Sequence, residues 1–375
     1  MDKNKRLTVW LPVIIAASIA LGIFIGNHYL SISQGKKRSY SSGNKINAIL
    51  DIIDEQYVDT VSMSKLVEST IPKIFSELDP HSVYIPAEDA SVVNEELEGS
   101  FSGIGVSFNM QTDTILVISV ISGGPAEKAG LLPFDRIISI NDSIFSGKKK
   151  NQGEIMKTLR GAKNSTVKLG VQRGNSPELL YFDVTRGDVP VNSVDVSYEA
   201  AKGIGYIKVS KFARNTYNEF ITAIAKLKQA GCTSFVIDLR GNTGGYMDAA
   251  INMINEFMPE GRLIVYTEGK SFPRSDVYAN GTGTCKDAPI VVLTDEISAS
   301  ASEIFSGAIQ DNDRGTIIGR RTYGKGLVQT QMSLSDGSEM RLTIARYYTP
   351  SGRCIQKKYE MGNTDAYDQD IYNRY

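Results

Sequence analysis

Residues 7–25 form a run of nineteen positions without a charge, preceded by Lys3, Lys5 and Arg6. At about 1.5 Å per helical residue the run spans roughly 28 Å, close to the hydrocarbon thickness of a bilayer. Apolar residues continue past Ser18-Ile19-Ala20, where a secretion signal would be cut, so an uncleaved anchor over 1–30 is expected. Basic residues lie on its N-terminal side and the next charge is Lys36, which puts the N-terminus in the cytoplasm and the rest outside. Residues 31–43 are polar, serine-rich and basic, and read as a flexible tether. Helical spacing begins at Lys45, with Ile46, Ile49, Leu50 and Ile53 on one face. It recurs over 66–78 with Ile71, Ile74, Phe75 and Leu78, and Asp79-Pro80 stops it, because a residue before proline avoids the α conformation. Alternation over 114–120 predicts a strand, and a short helix precedes Ala129-Gly130-Leu131. Beyond residue 188 short apolar runs alternate with helical periods. Strands are predicted at 204–209, 234–240, 263–267, 290–294 and 316–319, with helices at 218–229, up to Phe257, and from Ser298. Alternating strands and helices predict an α/β layered core, with functional groups where strands end and helices begin.

With 375 residues the chain has room for more than one domain. Its 42 acidic and 41 basic residues nearly cancel, so nothing draws it to nucleic acid and no such partner is expected. Cys232, Cys285 and Cys354 are odd in number and have no metal-ligand spacing, so neither a metal nor a cofactor is expected. Lys148-Lys149-Lys150 reads as a solvated loop.

Three serines, Ser298, Ser300 and Ser302, open the helix that follows the strand at 290–294. A helix start offers free N–H groups and the positive end of the dipole, which favour a developing negative charge. Downstream lies Gly324-Lys325-Gly326, where neither neighbour has a side chain to keep the lysine at a distance. Only two histidines exist, His28 in the apolar N-terminal run and His81, so a lysine is the better candidate to activate a serine. Such a lysine must be neutral, and lowering its pKa from near 10.4 to near 7 costs roughly 4–5 kcal/mol. Tyr323, Leu327 and Val328 offer apolar surroundings for that.

The segment Ser300-Ala301-Ser302-Glu303, with Tyr323-Gly324-Lys325-Gly326 and Gln329, resembles the active-site stretch of the carboxyl-terminal processing (tail-specific) peptidases. The 25-residue gap from serine to lysine and the further four to glutamine match that family and select Ser300 among the three serines. The resemblance implies a crotonase-like α/β core with Ser300 as nucleophile, Lys325 as base and Gln329 orienting the amine. It implies further that the segment from Asp238 to Gly245 and the N–H of Ala301 form the oxyanion hole, with Gly244 taken as the glycine donor. Glu303 is expected to hold structure through hydrogen bonds rather than act as an acid. Leu78-Asp79-Pro80-His81-Ser82 is similar to another signature of the family, and His81 is read there as a turn residue, since the base is already assigned. The resemblance extends through the segment from Tyr347 to Gln356; the family's later Gly-(Ile/Val)-x-Pro-Asp motif has no counterpart before Tyr375, so a truncated C-terminus is expected.

Between the helical segment 44–96 and the peptidase-like region 188–375, residues 97–187 resemble a circularly permuted bacterial PDZ domain. The match runs from Gly103-Ile104-Gly105-Val106 through Gly123-Gly124-Pro125-Ala126 to the segment 135–141. It implies a mostly-β insert whose 103–106 loop captures a C-terminal carboxylate while the peptide adds as a strand. Ile104, Val106 and Phe108 would then select apolar tails, making the partners protein or peptide substrates with apolar C-termini. A homo-oligomer is compatible with this. The expectation is thus a serine endopeptidase, single-pass in the inner membrane with its catalytic domain on the periplasmic side. The alternative is a membrane-tethered PDZ adaptor with an inactive hydrolase-like domain.

Overall fold

The computed structural model describes residues 16–23, 42–111, 114–141, 143–144, 152–372 and 374. The chain divides into two compact units, Met1–Ser69 and Thr70–Tyr375. In the first, 16–23 is helical and α1 (Ser42–Gln56) follows, with α2 (Met63–Ser76) beginning near its end. Among the described residues no helix is long and apolar enough to cross a membrane. Most of the expected anchor, the tether and the lysine run at 148–150 lie outside the described residues.

The second unit opens with β1 (Val83–Ile85) and α3 (Ala87–Glu98), which leads into β2 (Ser100–Gly103). The inserted β domain follows: β3 (Val106–Gln111), β4 (Thr114–Val120), α4 (Pro125–Ala129), β5 (Arg136–Ile140), β6 (Ser143–Ile144), α5 (Gln152–Leu159), β7 (Thr166–Gln172) and β8 (Leu180–Thr185). Its sheet runs β3-β4-β5-β7-β8, so β3 is an edge strand, and β2 pairs antiparallel with β9 (Gly187–Pro190) where the chain enters and leaves. Inward residues of the strands (Ile115, Val117, Ile137, Val167, Leu169, Val171) close over Ile155 and Leu159 of α5. Ile104 belongs to that core and is only 3% exposed, so it packs inside the insert rather than standing open on its surface.

After the insert come β10 (Val194–Ala201), β11 (Ile204–Val209), α6 (Thr216–Gln229), β12 (Ser234–Asp238), α7 (Met247–Asn255), β13 (Leu263–Glu268), β14 (Ser275–Tyr278) and β15 (Ile290–Thr294). The chain finishes with α8 (Ala301–Asp311), β16 (Thr316–Gly319), β17 (Leu327–Ser333), β18 (Glu339–Tyr348) and α9 (Thr364–Tyr372). One sheet has the order β10-β11-β12-β15-β16, parallel from β11 onward. A second is antiparallel: β1-β18-β13-β14, with β17 on β18. The first sheet and its helices bury Phe212, Phe220, Phe257 and Phe305, and the Phe257 ring meets those of Phe220 and Phe305 edge to face at 6.2 and 6.4 Å. Because β12 and β15 are adjacent and parallel, their C-terminal ends deliver the loop at 239–245 and the loop at 295–300 to one place.

Candidate active site

Three serines leave β15, and their surroundings differ. Ser298 is fully buried and its hydroxyl donates to the carbonyl of Leu239 at 2.8 Å. Ser302 is also fully buried and donates to the carbonyl of Asn242 at 3.0 Å. Both fasten the α8 start to the neighbouring glycine-rich loop. Ser300 alone is half-exposed, at the N-cap of α8 with φ 55°, ψ −113°. A non-glycine residue there carries backbone strain of about 1–3 kcal/mol and survives only where its surroundings impose it.

What imposes it is Glu303, 2% exposed. Its Oε2 accepts the N–H of Ser300 at 2.9 Å and that of Lys325 at 2.8 Å. Its Oε1 accepts the N–H of Gly324 and the Thr322 hydroxyl, both at 2.7 Å. One carboxylate therefore joins the backbone of the helix start to the backbone of the Gly-Lys-Gly turn. Burial pushes this carboxyl above the ordinary glutamate value, with the four donors opposing. Tyr347, 2% exposed, adds a second tie: its hydroxyl donates to the carbonyl of Lys325 and faces the Ser300 side chain.

Lys325, half-buried, lines a cleft of about 630 Å³ together with Gly244, Gly245, Ser300, Leu327, Gln329 and Arg341. Among the described residues its amine has no hydrogen-bond or ion-pair partner. Burial and the Arg341 guanidinium lower its pKa below the ordinary lysine value, while Asp79 and Glu303 pull the other way. Leu327 and Val328 flank it as expected, whereas the Tyr323 ring packs with His81 and Tyr367 instead. The His81 ring, its pKa lowered to about 4 by burial and by Lys325, pairs with the Tyr367 hydroxyl at 2.8 Å. The turn reading fits that placement.

The glycine-rich loop is set by Asn242, fully buried. Its Nδ2 donates to Val209 carbonyl at 2.9 Å, its carbonyl accepts the Ala299 N–H at 3.0 Å, and its Oδ1 accepts the Gly244 N–H at 2.8 Å. Gly244 is therefore already engaged as a donor, which corrects the choice of that residue for an oxyanion hole. The N–H groups of Gly245 and Ala301 have no acceptor among the described residues. Gly244 matters for space: a Cβ there would lie 2.7 Å from both the Ser300 Cβ and the Ala299 carbonyl oxygen. Asp238, beneath the loop, is held below the carboxylate range: burial raises it, but the Arg240 guanidinium at 2.7 Å and the Tyr206 hydroxyl at 2.6 Å outweigh that.

Glu303's four donors, Tyr347, and the approach of the 79–82 turn were not legible as parts of one centre. All three rest on contacts between segments far apart in the chain. Gly103, Gly105 and Val106 sit where the inserted domain begins, and the open edge of β3 starts at Val106.

Comparison with known proteins gives a consistent picture. The model for peptidase family S41 matches residues 203–365 and that for a PDZ domain matches 102–195. A carboxy-terminal processing protease, CtpB, of Bacillus subtilis (strain 168) is 35% identical over 318 residues, covering 84% of this chain and 66% of that protein. A probable CtpA-like serine protease of Staphylococcus aureus (strain N315) is 33% identical over 365 residues, covering 95% of this chain and 72% of that one. The chain thus spans about two-thirds of the length of these relatives. A solved photosystem II D1 C-terminal processing protease is 28% identical, covers 84% of this chain and 91% of its own, and superposes with TM-score 0.47.

Proposed function

The chain belongs to peptidase family S41, the carboxyl-terminal processing peptidases, and on that premise we propose that it is a serine endopeptidase acting through Ser300 and Lys325. The observation that carries this reading is one cleft in which the least engaged of three serines meets a half-buried lysine whose amine has no partner among the described residues. Lys325, neutral, takes the proton of Ser300 as its oxygen attacks a peptide carbonyl, and Gln329 orients the amine. The N–H groups of Gly245 and Ala301 stabilise the oxyanion. The inserted domain selects proteins by an apolar C-terminal tail, which adds to the β3 edge while the 103–106 loop takes the carboxylate. Its open edge supports this. The layered core, parallel from β11 to β16, supports a crotonase-like architecture. The uncharged run at 7–25 behind Lys3, Lys5 and Arg6 supports a single-pass anchor with the catalytic region on the extracytoplasmic side.

Casein digestion and fluorophosphonate labelling test the chemistry. Ser300→Ala abolishes both, and Lys325→Ala abolishes cleavage while the protein remains folded. Turnover surviving in Ser300→Ala removes the nucleophile assignment. Resistance of the full chain to carbonate extraction from membranes tests the anchor; release into the supernatant refutes it.

A further inference from the structure

The mechanism above leaves the turn at 79–82 unused, yet that turn is fastened to the strands that face Lys325. Asp79 is 8% exposed; its Oδ1 accepts the N–H groups of His81 and Ser82, both at 3.0 Å, and the Thr343 hydroxyl at 2.9 Å. Its Oδ2 accepts the Ser82 hydroxyl at 2.5 Å, and the Ser82 oxygen in turn accepts the Thr343 N–H at 3.1 Å. Thr343 is the cross-strand partner of Gln329, and the β17–β18 register slips between Val328 and Gln329. Such an irregularity re-aims the side chains beside it. Here the Gln329 amide nitrogen donates to the main-chain carbonyl of His81. With the nitrogen held, the amide oxygen is the end left free to accept.

Building on the serine–lysine reading, we propose that the 79–82 turn is a positioning element of the catalytic centre. It grips Gln329 by its nitrogen so that the amide oxygen accepts from the Lys325 amine. The His81 ring points elsewhere, to Tyr367, so the histidine serves through its carbonyl. Asp79 also acts through its charge. The charged groups that bear on Lys325 are Arg341 on β18, Glu303 on α8 and Asp79 on the turn. Arg341 disfavours the ammonium form and the two carboxylates favour it. The neighbouring His81 is neutral at pH 7.

The test uses the full chain, casein as substrate and fluorophosphonate titration to count active sites. Asp79→Asn keeps an acceptor for the two N–H groups and the threonine, but it removes the charge and replaces the Oδ2 acceptor of the Ser82 hydroxyl with a donor, which loosens the turn that holds Gln329. We expect kcat per labelled site to fall about tenfold with KM within about twofold, as for a lost orienting contact. The acid limb of kcat/KM shifts to lower pH, since loss of a nearby negative charge makes the amine easier to deprotonate. In a Gln329→Leu background the same substitution has little further effect on kcat, because the contact it supports is already gone. An unchanged kcat and acid limb, or an equal loss in both backgrounds, overturns the proposal. Should Asp79→Asn fail to fold, Thr343→Val, which removes one staple of the turn, is judged by the same kcat and double-mutant criteria. A wild-type chain that neither cleaves casein nor takes the label sinks the serine–lysine reading and this inference with it. An active, labelled wild type with a silent Asp79→Asn sinks only the role of the turn.

Discussion

Glu303→Gln separates the role of the carboxylate from that of a merely buried residue. Both oxygens are saturated, Oε2 by the N–H groups of Ser300 and Lys325, Oε1 by the N–H of Gly324 and the Thr322 hydroxyl. An amide replaces one acceptor with a donor. If its NH₂ group took the Oε2 position, two buried N–H groups would be stranded. In the Oε1 position it strands only the Gly324 N–H, because the threonine hydroxyl can turn and accept. The amide therefore settles the second way, and the Ser300 and Lys325 ties survive in weaker, neutral form. One stranded donor costs about 1–3 kcal/mol, and exchanging charged for neutral hydrogen bonds adds about 1 kcal/mol or more. The sum, about 2–4 kcal/mol, lowers Tm by roughly 4–16 °C at about 2–4 °C per kcal/mol for a large domain. Glu303→Ala strands all the donors and also releases the strained N-cap at Ser300. The expected order, in both melting temperature and kcat/KM on casein, is wild type, then Gln, then Ala, with the Ala variant down at least about 100-fold in rate. Calorimetry and initial rates decide it. Two variants indistinguishable from wild type, or a Gln variant as damaged as Ala in both measures, would refute the reasoning.

Arg341 donates through Nε to Gln331 at 3.1 Å and lowers the pKa of the neighbouring Lys325. Arg341→Gln therefore raises that pKa, and the acid limb of kcat/KM moves to higher pH, opposite to the shift expected for Asp79→Asn; a limb that stays put counts against Lys325 as the base. Gly244→Ala forces a methyl to 2.7 Å from the Ser300 Cβ at φ +100°, so casein cleavage falls at least about 100-fold while the distant inserted domain keeps its fold. Retained cleavage would show that the loop and the helix start are not in register as described. In the inserted domain, Ile104→Asp buries an unpaired charge in the core and unfolds it, seen as loss of hydrogen-exchange protection in β4, β5 and β7. Phe108→Thr, on the edge strand β3 and only partly buried against that core, keeps more of that protection than Ile104→Asp and raises KM for substrates with apolar tails; equal loss of protection in the two variants would contradict the deeper burial of Ile104.

The parallel sheet was readable because its strands are continuous apolar runs between helical periods. β11, β15 and β16 fall on the residues predicted, and β12 ends two residues early where Leu239 and Arg240 leave the sheet. The antiparallel sheet was mostly hidden. β17 reads Leu-Val-Gln-Thr-Gln-Met-Ser and β18 carries Arg341 and Arg346, so neither shows clean alternation, and their burial is intermediate along most of their length. α3 fell within the segment 44–96 expected to be helical but had no bounds of its own, since its dominant feature is acidic residues with no continuous apolar stripe. At the site, the resemblance singled out Ser300, Lys325 and Gln329 because their spacing lies along one stretch of chain, and the three line one cleft. The choice between Gly244 and Gly245 depends on which N–H the Asn242 side chain already holds, a two-residue contact invisible to pattern. The tie from Asp79 to Thr343 links positions 264 residues apart.

These two kinds of structure meet at the cleft, and that junction explains why so many bonds converge on it. Ser300 belongs to the parallel sheet through β15 and α8, and it is locked there by Ser298, Ser302 and Asn242. Lys325 and Gln329 belong to the antiparallel sheet through β17. The proton transfer proposed between Ser300 and Lys325 needs the reacting atoms placed to within about 1 Å, a tolerance that the packing of two separate sheets does not guarantee by itself. Glu303 and Tyr347 cross the gap directly, one from each side: the glutamate reaches from α8 to the lysine turn, and the tyrosine reaches from β18 to the lysine carbonyl and the serine. Removing one tie leaves the other to hold the register, so the Tyr347→Phe/Glu303→Gln double variant should lose more in kcat than the product of the two single losses. If the two losses multiply independently, the ties act on different geometries, and the junction is not a single coupled unit.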